Sequence, residues 1–307
     1  MIKYVIKRIL IGCLTLFILA TITFFGVHAM PGDPFSQDNR ILTPEAYAAL
    51  EAKYGLDKPI EEQFVIYLSN ALKGDFGEAI SKPGQQVSDI IMHRFPVTAK
   101  LGIVAFAIAV GVGLALGIIS ALTKHRWVNS LITALATAGV SIPGFLFAMF
   151  MMIIFCVKLG VLPVMGLSTP KHYILPAIAL ALSSISMITR LTRSSLKDVM
   201  NKDYITLARS KGTKELMVII KHGLKNALLP VITYCGPMFA GLITGSMVIE
   251  TLFSIPGIGA EFTMSITNRD YTLVMGLTLF FGILVIIMNL VSDIVAAMVD
   301  PRIKLGK

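Results

Sequence analysis

Side chains able to do chemistry are sparse in this sequence, and their spacing makes none of the usual constellations. There is no GxxxxGK[ST] loop to cradle nucleotide phosphates, and no HExxH or Ser/His/Asp set. Cys13, Cys156 and Cys235 all lie inside apolar runs without CxxC spacing, which argues against a disulfide framework or a zinc site. No catalytic, cofactor-binding or metal-binding residue is assigned, and the chain is expected not to be an enzyme. What stands out is a polar, basic run from Asp203 to Pro230, DYITLARSKGTKELMVIIKHGLKNALLP.

This run reads as two short helices. Tyr204, Leu207 and Ala208 fall at i, i+3 and i+4, one apolar stripe on a polar helix. Gly212 stands where a helix commonly stops in the left-handed conformation. Thr213 can cap the next helix, with Glu215 well placed in its first turn. Leu216, Ile219, Ile220 and Leu224 carry an apolar face on toward Pro230. A membrane loop made basic by topology would explain the lysines and arginines. It would not explain two amphipathic faces hinged at a glycine, so a docking role stands beside the plainer reading.

The elements that must position this run are membrane helices. The chain has 307 residues, 55% hydrophobic and only 15% charged, with mean hydropathy +0.77. A net charge of +9 could suggest nucleic acid, but the basic residues lie between apolar spans rather than on a soluble face. Six runs are long enough to cross a bilayer, near 9–30, 98–122, 131–157, 173–190, 227–250 and 272–299. The first follows Lys3, Lys7 and Arg8 but is too long for a signal peptide and lacks a small-x-small cleavage site, so it reads as a retained anchor.

Charge sets the expected orientation. With the N-terminus inside, the cytoplasmic segments hold Lys3, Lys7, Arg8, Lys124, Arg126, nine basic residues between Arg190 and Lys225, and Arg302, Lys304 and Lys307. The short outer loops have only Lys158, Lys171 and Arg269, so both termini are expected in the cytoplasm. Residues 31–97 then lie outside, with ten acidic and six basic residues. Thr43-Pro44-Glu45 should open a helix that Gly55 closes; Asp57 and Pro59 should open a second, with Ile60, Phe64, Tyr67 and Leu68 on one face. A second outer loop holds Glu250, Pro256, Gly257 and Gly259, then Asn268, Arg269 and Asp270. Its glycines and proline suggest a tight re-entrant turn.

Spans two to five contain no Asp, Glu, Lys, Arg or His as drawn within 101–122, 131–157, 173–189 and 227–249, and the sixth only Asp293. That argues against an ion-coupled carrier, whose coupling sites usually need such groups. His28 and Asp293 lie near span ends, where interfacial water or a polar neighbour would serve them. Gly111, Gly113, Gly117, Gly139, Ser141, Gly144, Gly241, Gly245 and Ser246 suit close helix packing, and Pro143 and Pro237 could bend helices. Ser141, Ser183, Ser184, Ser186, Thr244 and Ser246 are candidates for a small-polar lining.

Ala208-Arg209-Ser210-Lys211-Gly212, His222, Leu224-Lys225-Asn226-Ala227 and Pro230 resemble the EAA loop of permease subunits of ATP-binding cassette importers. Thr206 stands where the general pattern has glutamate and Lys225 where it has proline; both departures are usual in the oligopeptide, dipeptide and nickel branch. MPGDPF (30–35), GDFG (74–77), FPVTAKLG (95–102) and GPMFAGLITGSMVIETLFSIPGIG (236–259) resemble that branch too, most of all the first membrane subunit of oligopeptide permeases. The resemblance covers nearly the whole chain. It implies an all-α integral membrane protein of six transmembrane helices: a type I importer (MetI-like) core of spans 2–6, an N-terminal anchor and an external helical cap. The segments would be an anchor helix (1–30), an extracytoplasmic cap (31–97), a permease domain (98–300) containing the coupling loop (190–230), and a cytoplasmic tail (301–307).

The resemblance also implies partners: a second homologous permease, two ATPase subunits that bind the ATP and Mg this chain does not hold, and an extracytoplasmic peptide-binding protein. It places the chain in a bacterial cell membrane, with Asp203, Tyr204, Thr206, Leu207, Ala208, Arg209, Lys211 and Gly212 coupling to an ATPase. Tyr204, Leu207 and Ala208 would be the contact buried in a cleft of that ATPase. Glu250, Pro256, Gly257, Gly259, Asn268, Arg269 and Asp270 would stand at the gate on the binding-protein side. The 236–259 match and the cap sequence EAKYGLDKPI (51–60) favour oligopeptides as substrate, with dipeptides or nickel as alternatives. A stand-alone ion-coupled carrier is the rival from another class, and uptake that survives loss of the ATPases would favour it.

Overall fold

A computed structural model of the protein describes residues 2–35 and 43–299. The basic tail, with Arg302, Lys304 and Lys307, lies outside them. The elements in chain order are α1 (Ile2–His28), α2 (Pro44–Tyr54), α3 (Ile60–Leu72), α4 (Val87–Leu122), α5 (Arg126–Ser141) and α6 (Gly144–Met151), which runs into a π-helical turn (Met152–Lys158). Then come α7 (Lys171–Met200), α8 (Asp203–Ser210), α9 (Glu215–Met217), a π-helical stretch (Val218–Leu224), α10 (Lys225–Ala227) and α11 (Leu229–Ile243). Three more, α12 (Met247–Leu252), α13 (Ile258–Thr267) and α14 (Tyr271–Val299), complete the described chain. Among the described residues there is no strand beyond one bridge, Glu78 to Gln86.

Among the described residues four helices, α1, α4, α7 and α14, are long and apolar enough to cross a membrane, or up to six spans if each of two bent pairs counts as one. The run expected as a single span over 131–157 is broken by a 109° bend. Pro143 offers no backbone donor and crowds Ile142 into extended backbone, φ −85° and ψ 123°. A 51° bend separates the 215–227 stretch from α11 at Leu228, before Pro230; Pro237 sits within α11 instead. The span expected to reach 250 stops at Ile243. There Gly245 takes φ +76°, and Ser246 caps α12 by accepting from Ile249 N.

The described residues gather into two compact units, one of 99–255 with 287–299, the other of 2–98 with 256–286. In the first, α7 is the hub on which α5, α6 and α11 pack. A Cβ on Gly113 would meet Ile188 at 2.8 Å, one on Gly117 would meet Thr192 at 2.5 Å, and one on Gly139 would collide with Ser186. Gly111 and Gly241, expected to act alike, face open space. Burial also removes Ser184 and Ser186 from the expected polar lining, while Ser141 and Ser183 stay exposed.

In the second unit, Thr43 Oγ1 accepts from Ala46 N, Pro44 starts α2, and Gly55 ends it at φ +69°. The α3 face of Ile60, Phe64, Tyr67 and Leu68 packs on Phe24 and Val27 of α1 and on Val274 and Met275 of α14. His28 hydrogen-bonds Gln63 Oε1 at 3.2 Å, the polar neighbour its position called for.

Candidate functional site

The basic run folds as the hinge its glycine suggests. Asp203 opens α8 and Arg209 lies in its last turn, each at the end of the helix dipole that favours its charge. Gly212 then takes φ +78°, the left-handed region that glycine enters without a Cβ penalty. Arg209 reaches across this turn with two bonds to Glu215, Nε to Oε2 at 3.0 Å and Nη2 to Oε1 at 2.7 Å. That contact holds the Glu215 carboxyl below its ordinary range and raises the guanidinium. Tyr204 Oη accepts from Asn226 Nδ2 at 3.3 Å, tying α8 to the residues after the π-helical stretch.

The chain's own burial falls on a neighbouring stripe of α8. Ile205, Ala208 and Val218 form a small buried cluster with Met200 against it. Of the residues expected to meet an ATPase, Tyr204 and Leu207 are 40% and 56% exposed, while Ala208 is buried within the chain. Asp203, Thr206, Arg209, Lys211 and Gly212 are exposed as well. Thr213 does not cap the next helix: Lys214 holds that position without a side-chain bond. Val218 and Gly223 of the π-helical stretch turn inward, while Leu216, Met217 and Ile220 are left exposed. With Tyr204 and Leu207 they leave apolar side chains uncovered around a braced turn, a surface suited to a partner's cleft.

The residues expected at the gate are divided between the two units. Glu250 on α12, in the first unit, is fully buried. In the second unit the expected loop is largely α13, reached through a turn in which Gly257 is buried and Pro256 exposed, with Gly259 buried at the helix start. Asp270 is buried: Oδ2 accepts from Ser81 N at 2.8 Å and Ser81 Oγ at 2.6 Å, and Oδ1 accepts from Leu273 N at 2.9 Å at the start of α14. Arg269, at φ +53°, donates from Nε to Pro31 O at 3.0 Å; Asn268 before it is half-buried.

Sequence reasoning passed over the strongest charge cluster here. Glu261 is 4% exposed, ion-paired with Lys82 and, at 3.4 Å, with Arg94 Nε. Arg94 also donates to Pro256 O at 3.3 Å, and Thr98 Oγ1 accepts from Ile258 N at 2.9 Å. The available signal was a lone carboxylate inside IGAEFTMSIT, since a charge in an apolar helix must find a partner.

A model of the binding-protein-dependent transport system inner membrane component family matches residues 113–305, and one for the N-terminal part of such membrane components matches 1–102. The oligopeptide transport system permease protein OppB of Haemophilus influenzae is 43% identical over 99% of this chain and 100% of its own. The dipeptide transport system permease protein DppB of Bacillus subtilis is 42% identical over 100% of this chain and 99% of its own. Among solved structures, an inward-facing MetNI methionine ABC transporter has TM-score 0.54 at 17% identity, covering 69% of this chain and 96% of that one. An amino acid ABC transporter with histidines has 0.54 at 14%, covering 67% and 92%. At such identities the likeness concerns the fold, and that fold is MetI-like.

Proposed function

The chain belongs to the family of binding-protein-dependent transport system inner membrane components, as a permease subunit of the peptide branch of ATP-binding cassette importers, and from that premise we propose that it passes oligopeptides through a bacterial inner membrane when an ATPase levers its hinge. The hinge faces the cytoplasm, as do both termini. A second permease completes the path, two ATPase subunits hold ATP and Mg, and a binding protein delivers peptide to residues 31–97 and 251–271. The anchor, cap, permease domain and tail are the segments of this arrangement.

The observation that carries the reading is the hinge itself: Tyr204, Leu207, Leu216, Met217 and Ile220 exposed about a turn braced by Arg209 and Glu215. A cleft that covers these side chains can grip α8, and closing of the ATPase pair then moves it as a rigid body, shifting the attached spans from inward- to outward-facing.

A Cβ at Gly212 meets no atom of the described residues within 4 Å, and aspartate tolerates the left-handed region better than most residues. Gly212→Asp therefore tests the partner's cleft. The purified variant assembly in lipid should keep all its subunits and lose most of its peptide uptake; import at the normal rate overturns the coupling role. The near-equal identity to a dipeptide permease supports dipeptides as a second reading. Competition between dipeptides and pentapeptides for uptake by the wild-type assembly separates the two.

A further inference from the structure

One face of α5 is polar. Asn129, Thr133, Thr137 and Ser141 recur every four residues, so they rise along one side of the helix at about 6 Å per step. With Ser130, Ala134 and Ala138 they line a groove in the first unit that Arg193 of α7 also borders. Each hydroxyl has used its proton: Thr133 donates to Asn129 O at 2.7 Å, Thr137 to Thr133 O at 2.9 Å, and Ser141 to Thr137 O at 3.0 Å. The side chains therefore present oxygen lone pairs to whatever occupies the groove. Asn129 Oδ1 in turn accepts from Arg193 Nε at 2.9 Å and from Ser120 Oγ at 2.8 Å. Among the described residues no carboxylate pairs with Arg193.

A row of acceptors ending at a cation without a counter-charge is a poor surface for lipid. It suits a molecule with amide donors along its length and a carboxylate at one end. In an extended peptide, amides on one side repeat about every 6.7 Å, close to the rise of the hydroxyl row. We propose that this groove binds the main chain of the peptide in transit, the hydroxyl row accepting its N–H groups and Arg193 holding its C-terminal carboxylate. Contacts confined to the main chain leave side chains unread, as a carrier of varied peptides requires. The proposal rests on the peptide-import reading and names its path.

The test uses the full importer in lipid vesicles with a labelled pentapeptide supplied as free acid, as C-terminal amide, and with alternate amides N-methylated. Arg193→Gln should slow the free acid several-fold more than the amide. Thr133→Val with Thr137→Val should slow the free acid and the amide alike, and have less effect on the N-methylated peptide, which has fewer donors to lose. Equal effects of Arg193→Gln on acid and amide, or unchanged uptake in both variants beside normal wild-type import, overturn the groove alone. Loss of the second permease from the purified valine variant overturns it too, in favour of a subunit interface. A wild-type assembly that imports none of the peptides overturns the import reading along with it.

Discussion

The hinge at 203–227 and the ion network around Glu261 both set charge beside apolar surface, in opposite senses. In the hinge, charge is outside: the Arg209 and Glu215 side chains are 43% and 57% exposed, and a small cluster of Ile205, Ala208 and Val218 is the anchor. Around Glu261, charge is inside: Glu261 and Asp270 are buried, with partners 179 and 189 positions away in sequence. An exposed ion pair contributes little, because water already solvates both ends. A buried carboxylate must be paired, and removing one side strands the other. Uncovered apolar area and light anchoring suit the gripping and moving proposed for the hinge, whereas the buried charge around Glu261 ties distant segments together.

The largest test of this contrast is Glu261→Ala. It leaves Lys82 and Arg94 without their carboxylate, and since both cations are partly exposed the loss is about 3 kcal/mol, the low end for a broken buried pair. The thermal midpoint of the purified assembly should fall clearly, and Glu261→Gln should recover part of the fall. A midpoint equal to wild type would show that the network does not hold its unit together.

Ile205→Ala makes the matching cut in the hinge. Removing a fully buried side chain costs about 2 kcal/mol, but the cluster is small, so the loss should stay local. Amide exchange over 204–218 should quicken while the thermal midpoint holds. A midpoint that drops as far as in Glu261→Ala would erase the difference between the two regions.

The two regions also differ in how far the sequence reveals them. The α2 signals, Thr43, Pro44 and Gly55, act within a few residues of the backbone groups they satisfy, and they were legible, as was Gly212. The family motifs identified the hinge and its place in the chain. Which side of α8 turns inward was not legible, because eight residues make about two turns and Ile205–Ala208 is as good a stripe as Tyr204–Leu207–Ala208. The break at Ile142 was hidden for another reason: hydropathy records that 131–157 is apolar and is blind to its direction, although Pro143 marked the place. The Glu261 pairs span most of the chain, and no local pattern reports such a partner.

A smaller effect separates the backbone of the hinge from its surface. Gly212→Ala adds a Cβ that touches nothing but must sit at φ +78°, a strain of about 1 kcal/mol. Gly212→Asn, which tolerates that conformation, should cost less. Exchange at the Thr213 amide, bonded to Ala208 O, should therefore rise more in the alanine variant. Equal exchange in the two would mean that the turn relaxes out of the left-handed region at no cost.

The smallest effect comes from the Arg209–Glu215 brace, and its pH dependence sharpens the contrast most. Arg209 lowers the folded-state pKa of Glu215 first by hydrogen bonding and then by its charge. A carboxyl depressed on folding contributes fully above its unfolded pKa, about 4.3, and loses that contribution as pH falls through the lower folded value. Amide exchange over 213–217, corrected for its intrinsic pH dependence, should hold steady from neutral pH to about 5. It should quicken only below the ordinary carboxylate range, and Glu215→Gln should remove that step. Salt should weaken the brace at neutral pH, because both partners are exposed and a Debye length of about 3 Å at 1 M screens them. Glu261, shielded from solvent, should keep its hold on Lys82 and Arg94 in the same salt. If salt loosens both regions equally, the charges around Glu261 are as open to water as those of the hinge, and burial is not what distinguishes them.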